Sequence, residues 1–431
     1  MKQGALKPEK YIPRLIDRVL SERLDLFGAV EVAGPMWCGK TWTSMSFGES
    51  IARIGLQAAR IAAEADAETA LIGAKPHVID EWQDVPAIWD EVRARVDDSG
   101  GEPGQFILTG SSQPQKEKAH HSGAGRISKI QMRTMSLAET GLSTGAISLS
   151  GLFRGEFEAR QVQQRLQPLA EAVCRGGWPQ LISHPAQPAS PFLKSYLDAL
   201  FEVSAPRRGL APAEARIVAQ SLARNLGSAA KLATVAEDAG FSNYDAKSSA
   251  NKVSAIIRAF EDLYVIEGIR GWDAPIRSKS RLRTKPKYVF SDVSLAASLL
   301  NLSPERLMND GQVFGILFES LCLHDLAVYA SLLPESGPEP LRYYRDSDGL
   351  EVDAILELQD GRWAGIEIKL GESKAPEGIA NLLRLKQKIA ANPAARNPEP
   401  AFLAVVVGAG EYARYDRENG VYIVPITALG A

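Results

Sequence analysis

Gly34-Pro35-Met36-Trp37-Cys38-Gly39-Lys40-Thr41 sets two glycines, a lysine and a hydroxyl at the spacing Gly-x-x-x-x-Gly-Lys-[Ser/Thr]. The chemistry that suits this order is capture of a polyphosphate. The glycines let the backbone turn and bring its N–H groups onto phosphate, Lys40 reaches the β/γ-phosphates, and the Thr41 hydroxyl ligates Mg²⁺. Gly34, Pro35, Cys38, Gly39, Lys40 and Thr41 are therefore the expected nucleotide-binding residues, with ATP and Mg²⁺ as cofactors. The bland alternative is a Gly-rich turn that matches by chance; the agreement of strand, loop and helix context favours the functional reading.

A second set follows at Pro76-His77-Val78-Ile79-Asp80-Glu81-Trp82-Gln83, a short apolar strand ending in two acids. Asp80 is placed to hold Mg²⁺ through water, and Glu81 to orient or deprotonate an attacking water. Alone, two acids after a strand are a solvated turn; downstream of a phosphate loop they read as its catalytic partner. Gln105 to Ser112 is another apolar strand ending in hydroxyls, expected to lie between the first two. Thr109 or Ser111 would report the γ-phosphate or fix the water, with a plain turn as the equal alternative. Arg126 ends a Gly-rich loop and reads either as a charge delivered to the γ-phosphate, in cis or from a neighbouring subunit, or as a surface arginine. His120 and His121 in that loop are adjacent, so a strand would point them oppositely, and no ligand cluster accompanies them.

The third set is C-terminal. Gly349 to Leu358, a turn at Asp360-Gly361, and Trp363 to Lys369 form an expected hairpin. Glu367 and Lys369 are two apart and share a face, and Asp353 lies on the paired strand. This resembles the PD-(D/E)xK nuclease core, in which two acids (here Asp353 and Glu367) hold Mg²⁺ and a lysine (Lys369) stabilises charge or helps generate hydroxide against a phosphodiester. Glu319 on the preceding helix and Gln387 on the following one occupy positions that complete such sites. The bland reading is a solvated strand face, or a domain of this shape that binds without cutting.

The elements that must position these groups are legible in part. Gly28 to Ala33 reads as the strand feeding the loop, and the segment after Thr41 as a helix facing the anion. Leu15, Val19 and Leu26 form a stripe on a preceding helix, Gln57 to Ala63 is a strand candidate, and Ile127 to Met132 is strand-like. Ser136 to Gly155 reads as a strap; helices from Gln161 to Val203 are broken at Gly176-Gly177-Trp178-Pro179; Pro206 to Pro212 marks a boundary. Leu232 to Trp272 reads as helix, turn, long helix and strand, which is winged-helix-like; such modules bind DNA or protein. The run Arg270 to Lys287 holds Arg277, Lys279, Arg281, Arg283 and Lys285 against the single acid Asp273, and would track phosphates or form a solvated face. Gln312 to Leu333 is expected as a long amphipathic helix.

Several classes are excluded by bulk properties. At 431 residues the chain exceeds one ordinary core. A net charge of -3 argues against wholesale attraction to nucleic acid or membrane, leaving only local basic patches. Three separated cysteines make neither a disulfide framework nor a Cys-x-x-Cys metal site, and eighteen apolar residues nowhere run together. A soluble cytoplasmic protein is the expectation.

Tyr11-Ile12-Pro13-Arg14, Gly34 to Thr41, Ile79 to Gln83, Leu108 to Ser112 and Ser122 to Ile127, in this order, resemble the prokaryotic AAA-type P-loop ATPases that carry a C-terminal domain of unknown function with a nuclease-like core. The similarity runs over nearly the whole chain. It implies a three-layer ATPase core with Lys40, Thr41, Asp80 and Glu81 in the Walker roles. The expected fold is α/β: an ATPase core over 1–150, a helical extension over 151–210, a winged-helix-like module over 211–290 and a restriction-endonuclease-like α/β domain over 291–431. The expected function is a Mg²⁺-dependent ATPase whose nucleotide state controls nucleic-acid engagement, with a homo-oligomer as a candidate assembly. The alternative is a nucleotide-switched adaptor for protein or DNA without nuclease activity.

Overall fold

The computed structural model describes residues 4–114, 123–162, 165–182, 184, 191–227, 232–241, 245–275 and 277–431. The chain divides into two compact units, Met1–Met135 with Asp262–Val265, and Ser136–Glu261 with Ile266–Ala431. The adjacent histidines 120 and 121 lie outside the described residues.

The first unit runs α1 (Asp17–Leu24), β1 (Ala29–Ala33), α2 (Lys40–Met45), β2 (Ser50–Arg53), α3 (Gln57–Ala65), β3 (His77–Asp80), α4 (Ala87–Asp98), β4 (Phe106–Gly110) and β5 (Ile127–Gln131). Its strands form one sheet in the order β2-β3-β4-β1-β5, every pair parallel. Short, fully buried strands such as Ala-Val-Glu-Val-Ala suit a sheet covered on both faces. Alternate residues divide accordingly. Val30 and Val32 pack with Leu20 and Leu24 of α1, while Ala29 packs with Val92 and Val96 of α4. The strand ending in Thr109 lies between those of the two upstream motifs, as expected.

Two expectations fail here. Gln57 to Ala63 is helix, because Gln-Ala-Ala-Arg-Ile-Ala-Ala-Glu-Ala is dominated by strong helix formers and buries only Ala63. The strand of this region is the upstream Ser50–Arg53. The face of α1 that is buried runs through Leu20 and Leu24, and Leu26 is exposed.

The second unit begins with β6 (Ile147–Ser148), α5 (Leu149–Phe153), β7 (Arg160–Gln161), α6 (Leu166–Arg175), α7 (Pro191–Ala199), α8 (Ala205–Arg207), α9 (Pro212–Arg224), α10 (Leu232–Asp238) and α11 (Ala246–Asp262). It continues with β8 (Ile266–Ile269), β9 (Gly271–Trp272), α12 (Ser280–Arg283), β10 (Lys287–Phe290), α13 (Val293–Leu299), α14 (Pro304–Asn309) and α15 (Gly311–Ala330). Last come β11 (Ser336–Arg345), β12 (Glu351–Leu358), β13 (Trp363–Gly371), α16 (Ala375–Ala390), β14 (Phe402–Ala409), β15 (Tyr412–Asp416), β16 (Val421–Pro425) and β17 (Leu429–Gly430). β8 and β10 pair antiparallel. Eight strands form a mixed sheet in the order β7-β15-β16-β14-β13-β12-β11-β9.

The β12–β13 hairpin turns at Asp360-Gly361, where Gly361 adopts φ 87° and the Asp360 carboxylate accepts from the Arg362 N–H. Ile379, Leu382, Leu385 and Ile389 of α16 pack on Val352, Ile355, Val405 and Val407 of this sheet. α15 is apolar on all sides instead of amphipathic, and it is long and apolar enough to cross a membrane; most of it is buried as a core helix.

Candidate functional site: a phosphate loop and a buried carboxylate cluster

The loop after β1 has a backbone shaped for close approach. Gly39 adopts φ 107°, in the left-handed region, and a side chain at Gly34 would place its Cβ 2.1 Å from the Met132 carbonyl oxygen. Lys40 is 4% exposed, and its ammonium donates to the Pro35 carbonyl at 2.8 Å, curled over the loop that it would leave to meet phosphate. Pro35 thus contributes its carbonyl. Cys38 turns its thiol into the core towards the Met132 carbonyl, so its share in the loop is backbone.

The three strand ends converge. Thr41 Oγ1 and Thr109 Oγ1 each donate to Asp80 Oδ1 at 2.7 Å. Glu81 takes a left-handed backbone, φ 58°, its N–H donates to Thr109 Oγ1 at 3.1 Å, and its Oε2 accepts from Ser111 Oγ at 2.7 Å and Gln83 Nε2 at 2.5 Å. A non-glycine residue held at positive φ is strain of the kind concentrated at working sites. The two hydroxyls of β4's end therefore divide their work, Thr109 on Asp80 and Ser111 on Glu81. Gln83 was not singled out in the sequence, although it stands in the same Asp-Glu-Trp-Gln string. Its Oε1 is buried without a hydrogen-bond partner in the structure.

These residues fit MgATP. Magnesium binds few protein ligands and keeps its waters, and a hydroxyl with one carboxylate beside a phosphate cradle is the donor set it accepts. Thr41 and Asp80 would hold it, and its chemistry there is neutralisation of charge on the phosphates. Among the described residues no group of three or more His, Cys, Asp or Glu side chains stands ready to hold a metal by itself.

Arg126 lies elsewhere. Its carbonyl accepts from Ala29 N at the start of β1, whereas the phosphate loop leaves the other end of that strand, about 13 Å further along. Its guanidinium donates to Asp97 Oδ1 at 2.7 Å. Delivery of Arg126 to the phosphates of its own subunit does not fit this placement.

Behind the acids sits a charge that the sequence reading missed. Glu31, central in β1 and 2% exposed, accepts from Trp82 Nε1 at 3.2 Å and pairs with Lys129 at 3.5 Å. Lys129 in turn donates to the Tyr264 hydroxyl at 2.8 Å, and Asp262 O accepts from Gln113 N. A glutamate within an otherwise apolar five-residue strand was the available signal.

In the second unit the hairpin brings its expected groups together. Lys369 Nζ lies 2.5 Å from Glu367 Oε2 and 3.8 Å from Asp353 Oδ2, and Asp353 Oδ2 accepts from Ile368 N at 2.8 Å. Glu319 of α15 joins through Lys287, whose ammonium lies 3.3 Å from Glu319 and 2.5 Å from Glu351. Burial, with the Asp353 charge added, raises the Glu319 carboxyl to about 7 and the Glu367 carboxyl to about 8, against the pull of the two lysines. Burial opposes the charge on Lys369, but Asp353 and Glu367 outweigh it and its pKa is raised. Gln387, expected to complete this site, is exposed; α16 instead offers Asn381, 3.4 Å from Glu367 Oε1.

The basic run is divided. Arg281 grips Glu357 through two bonds of 2.7 and 2.6 Å, and Lys287 is 2% exposed, so both serve the interior. Arg277, Lys279, Arg283 and Lys285 are exposed.

Residues 27–141 match a family described as an AAA domain, 166–306 a domain of unknown function (DUF8612) and 314–429 a domain of unknown function (DUF4143). Two uncharacterised proteins, from Mycobacterium tuberculosis and Mycobacterium bovis, are each 26% identical over 359 residues, covering 79% of this chain and 70% of theirs. Among solved structures, a Walker-type ATPase of Pyrococcus abyssi aligns with a TM-score of 0.42 at 11% identity, covering 70% of this chain and 99% of that one. The AAA match spans β1 to β5 and every residue of the phosphate site. What the chain shares with known protein families is thus an AAA domain over residues 27–141 followed by two domains of unknown function.

Proposed function

We propose that the protein is a Mg²⁺-dependent ATPase whose nucleotide state controls engagement of nucleic acid by its C-terminal half. The observation that carries the ATPase reading is the convergence on Asp80 of hydroxyls from the phosphate loop and from β4, with Glu81 held beside it by Ser111 and Gln83. Glu81 is the group that would orient and deprotonate water, Lys40 the cation for the β/γ-phosphates, and Arg126 a charge offered only to a neighbouring subunit. The cell compartment consistent with three free, buried cysteines is the cytoplasm.

The nucleic-acid part of the reading is supported by two features. α10, α11 and the antiparallel β8–β10 pair follow the order of a winged helix. Asp353, Glu367 and Lys369 stand together as in PD-(D/E)xK nucleases, and Asp353 and Glu367 would be the metal-holding pair. A second reading, a nucleotide-switched adaptor without cleavage, draws support from Lys287 and Lys369, which already compensate much of the buried acidic charge.

Incubating the full chain with single-stranded, duplex and branched DNA, with Mg²⁺ or Mn²⁺, with and without ATP, separates the two. Cleavage abolished by Asp353→Ala supports the nuclease reading. ATP-dependent binding without cleavage supports the adaptor, and neither binding nor cleavage would remove nucleic acid from the account.

A further inference from the structure

Arg14 stands outside the phosphate loop in sequence but grips it in space. Its Nη1 donates to the Cys38 carbonyl at 2.8 Å and its Nη2 to the Arg133 carbonyl at 2.9 Å, with the side chain 7% exposed. One guanidinium therefore ties the phosphate loop to the segment following β5. That segment is already the loop's wall, since Met132 N donates to Ala33 O at 2.7 Å and the Met132 carbonyl leaves Gly34 no room for a Cβ.

The arginine is itself held. Asp17 accepts from the Arg14 backbone N–H at 3.0 Å and from the Tyr11 hydroxyl at 2.6 Å. The Tyr11 hydroxyl also lies 3.0 Å from Thr43 Oγ1, one turn into the helix that the loop enters. Burial and the neighbouring Asp17 carboxylate push the Tyr11 phenol well above its ordinary range, so it stays protonated as a donor. The segment Tyr11-Ile12-Pro13-Arg14 thus holds the loop at Cys38 and the following helix at Thr43.

We infer that Arg14 is a positioning residue for nucleotide binding, acting through the Cys38–Gly39 peptide. In a trans peptide the C=O and the following N–H point in opposite directions. Turning the Cys38 carbonyl outward onto a guanidinium therefore turns the Gly39 N–H inward, with Gly39 at φ 107°. Gly39 N–H is one of the backbone donors that the loop offers to phosphate, and a charge-assisted bond fixes its direction before the nucleotide arrives. The inference rests on the ATPase reading and deepens it. The donor serves the phosphate chain in ATP and ADP alike, so Arg14 acts on binding of both and not on the chemical step.

The test compares Arg14→Ala, Arg14→Lys and Tyr11→Phe in the full chain, measuring affinity for MgATP and MgADP, turnover at saturating ATP, and thermal midpoint without nucleotide. Arg14→Ala is expected to lose about 10- to 100-fold in affinity for both nucleotides, the scale of a lost charge-assisted hydrogen bond, with kcat within about threefold. Arg14→Lys restores part of the affinity, because an ammonium reaches one carbonyl but does not bridge two. Tyr11→Phe, which keeps the guanidinium, loses less than Arg14→Ala. A folded Arg14→Ala that binds both nucleotides as the native chain does, or that loses kcat while keeping affinity, overturns the inference. If Arg14→Ala does not fold, Arg14→Lys decides: native affinity there overturns it equally. A native chain that binds neither nucleotide fails the ATPase reading itself, an outcome distinct from native binding that is insensitive to Arg14.

Discussion

Thr41 Oγ1 in the first turn of α2 and Asp80 Oδ1 at the end of β3 are 2.7 Å apart and hydrogen-bonded. The hydroxyl and the carboxylate that would share one magnesium are thus aligned before it binds. Asp80→Asn keeps the shape and removes the charge. Turnover at limiting Mg²⁺ is expected to fall about 100-fold, with the half-saturating Mg²⁺ concentration raised, since the metal's charge stabilisation is worth several kcal/mol. Metal titrations of phosphate release check this; an unchanged Mg²⁺ dependence would remove Asp80 from the metal's surroundings.

Glu81 is held at Oε2 by Ser111 and Gln83. Glu81→Gln should lower hydrolysis by about 10²- to 10⁴-fold, the range for a positioned general base, while ATP affinity stays within about threefold. Ser111→Ala leaves the base in place and loosens it, so its loss is smaller, about tenfold. Single-turnover kinetics beside equilibrium binding separate the two effects. Equal loss of affinity and rate in Glu81→Gln would make it a binding residue.

The geometry of the candidate nucleotide site was legible because its signals are local. A phosphate loop, an apolar strand ending in acids and a strand ending in hydroxyls each state their chemistry within eight residues, and the parallel sheet only had to bring their ends together. Partners that act across the fold were not legible. Nothing in the sequence near Arg14 says that its guanidinium meets the carbonyl of Cys38, and nothing in the basic run says that Lys287 will be buried between two glutamates. Gln57 to Ala63 failed for the opposite reason: alanines carry little periodicity, so helix propensity and not pattern was the useful signal. Gln387 and Asn381 both lie on α16 and differ only in which face meets Glu367, a choice set by tertiary packing.

Glu319 and Glu367, raised to about 7 and 8 from an ordinary 4.5, make the second unit sensitive to pH. Between pH 4.5 and 8 the folded chain retains protons that the unfolded chain releases, so unfolding free energy falls as pH rises and levels off above 8. At ~1.4 kcal/mol per pH unit, displacements from 4.5 to about 7 and about 8 bound the loss at roughly 8 kcal/mol. Urea unfolding at pH 5.5, 7 and 8.5 measures it. Glu367→Gln should flatten the upper part of the curve, and Mg²⁺ should stabilise more at pH 8.5 than at 5.5, where it competes with protons. Stability that rises through this window in the native chain would contradict the buried-acid assignment.

Neutralising the basic run should have two distinct results. Replacing Lys279, Arg283 and Lys285 with glutamine leaves stability within about 0.5 kcal/mol, since they are exposed. If this face tracks phosphates, log affinity for DNA against log salt becomes shallower by about 0.9 for each phosphate no longer neutralised. Arg281→Ala, by contrast, strands Glu357 and should cost about 2 kcal/mol of stability. An unchanged salt slope in the triple variant would clear the face of that role.

In the proposed function Gly34 to Thr41 holds MgATP for hydrolysis beside Asp80 and Glu81. Thermal or urea unfolding of the full chain with MgATP at about a hundred times its Kd, read beside phosphate release, tests it most directly. The native chain should gain about 2.7 kcal/mol and turn over; Lys40→Ala should lose both, and Glu81→Gln should keep the stabilisation and lose turnover. No stabilisation of the native chain, or the same stabilisation in Lys40→Ala, would contradict it.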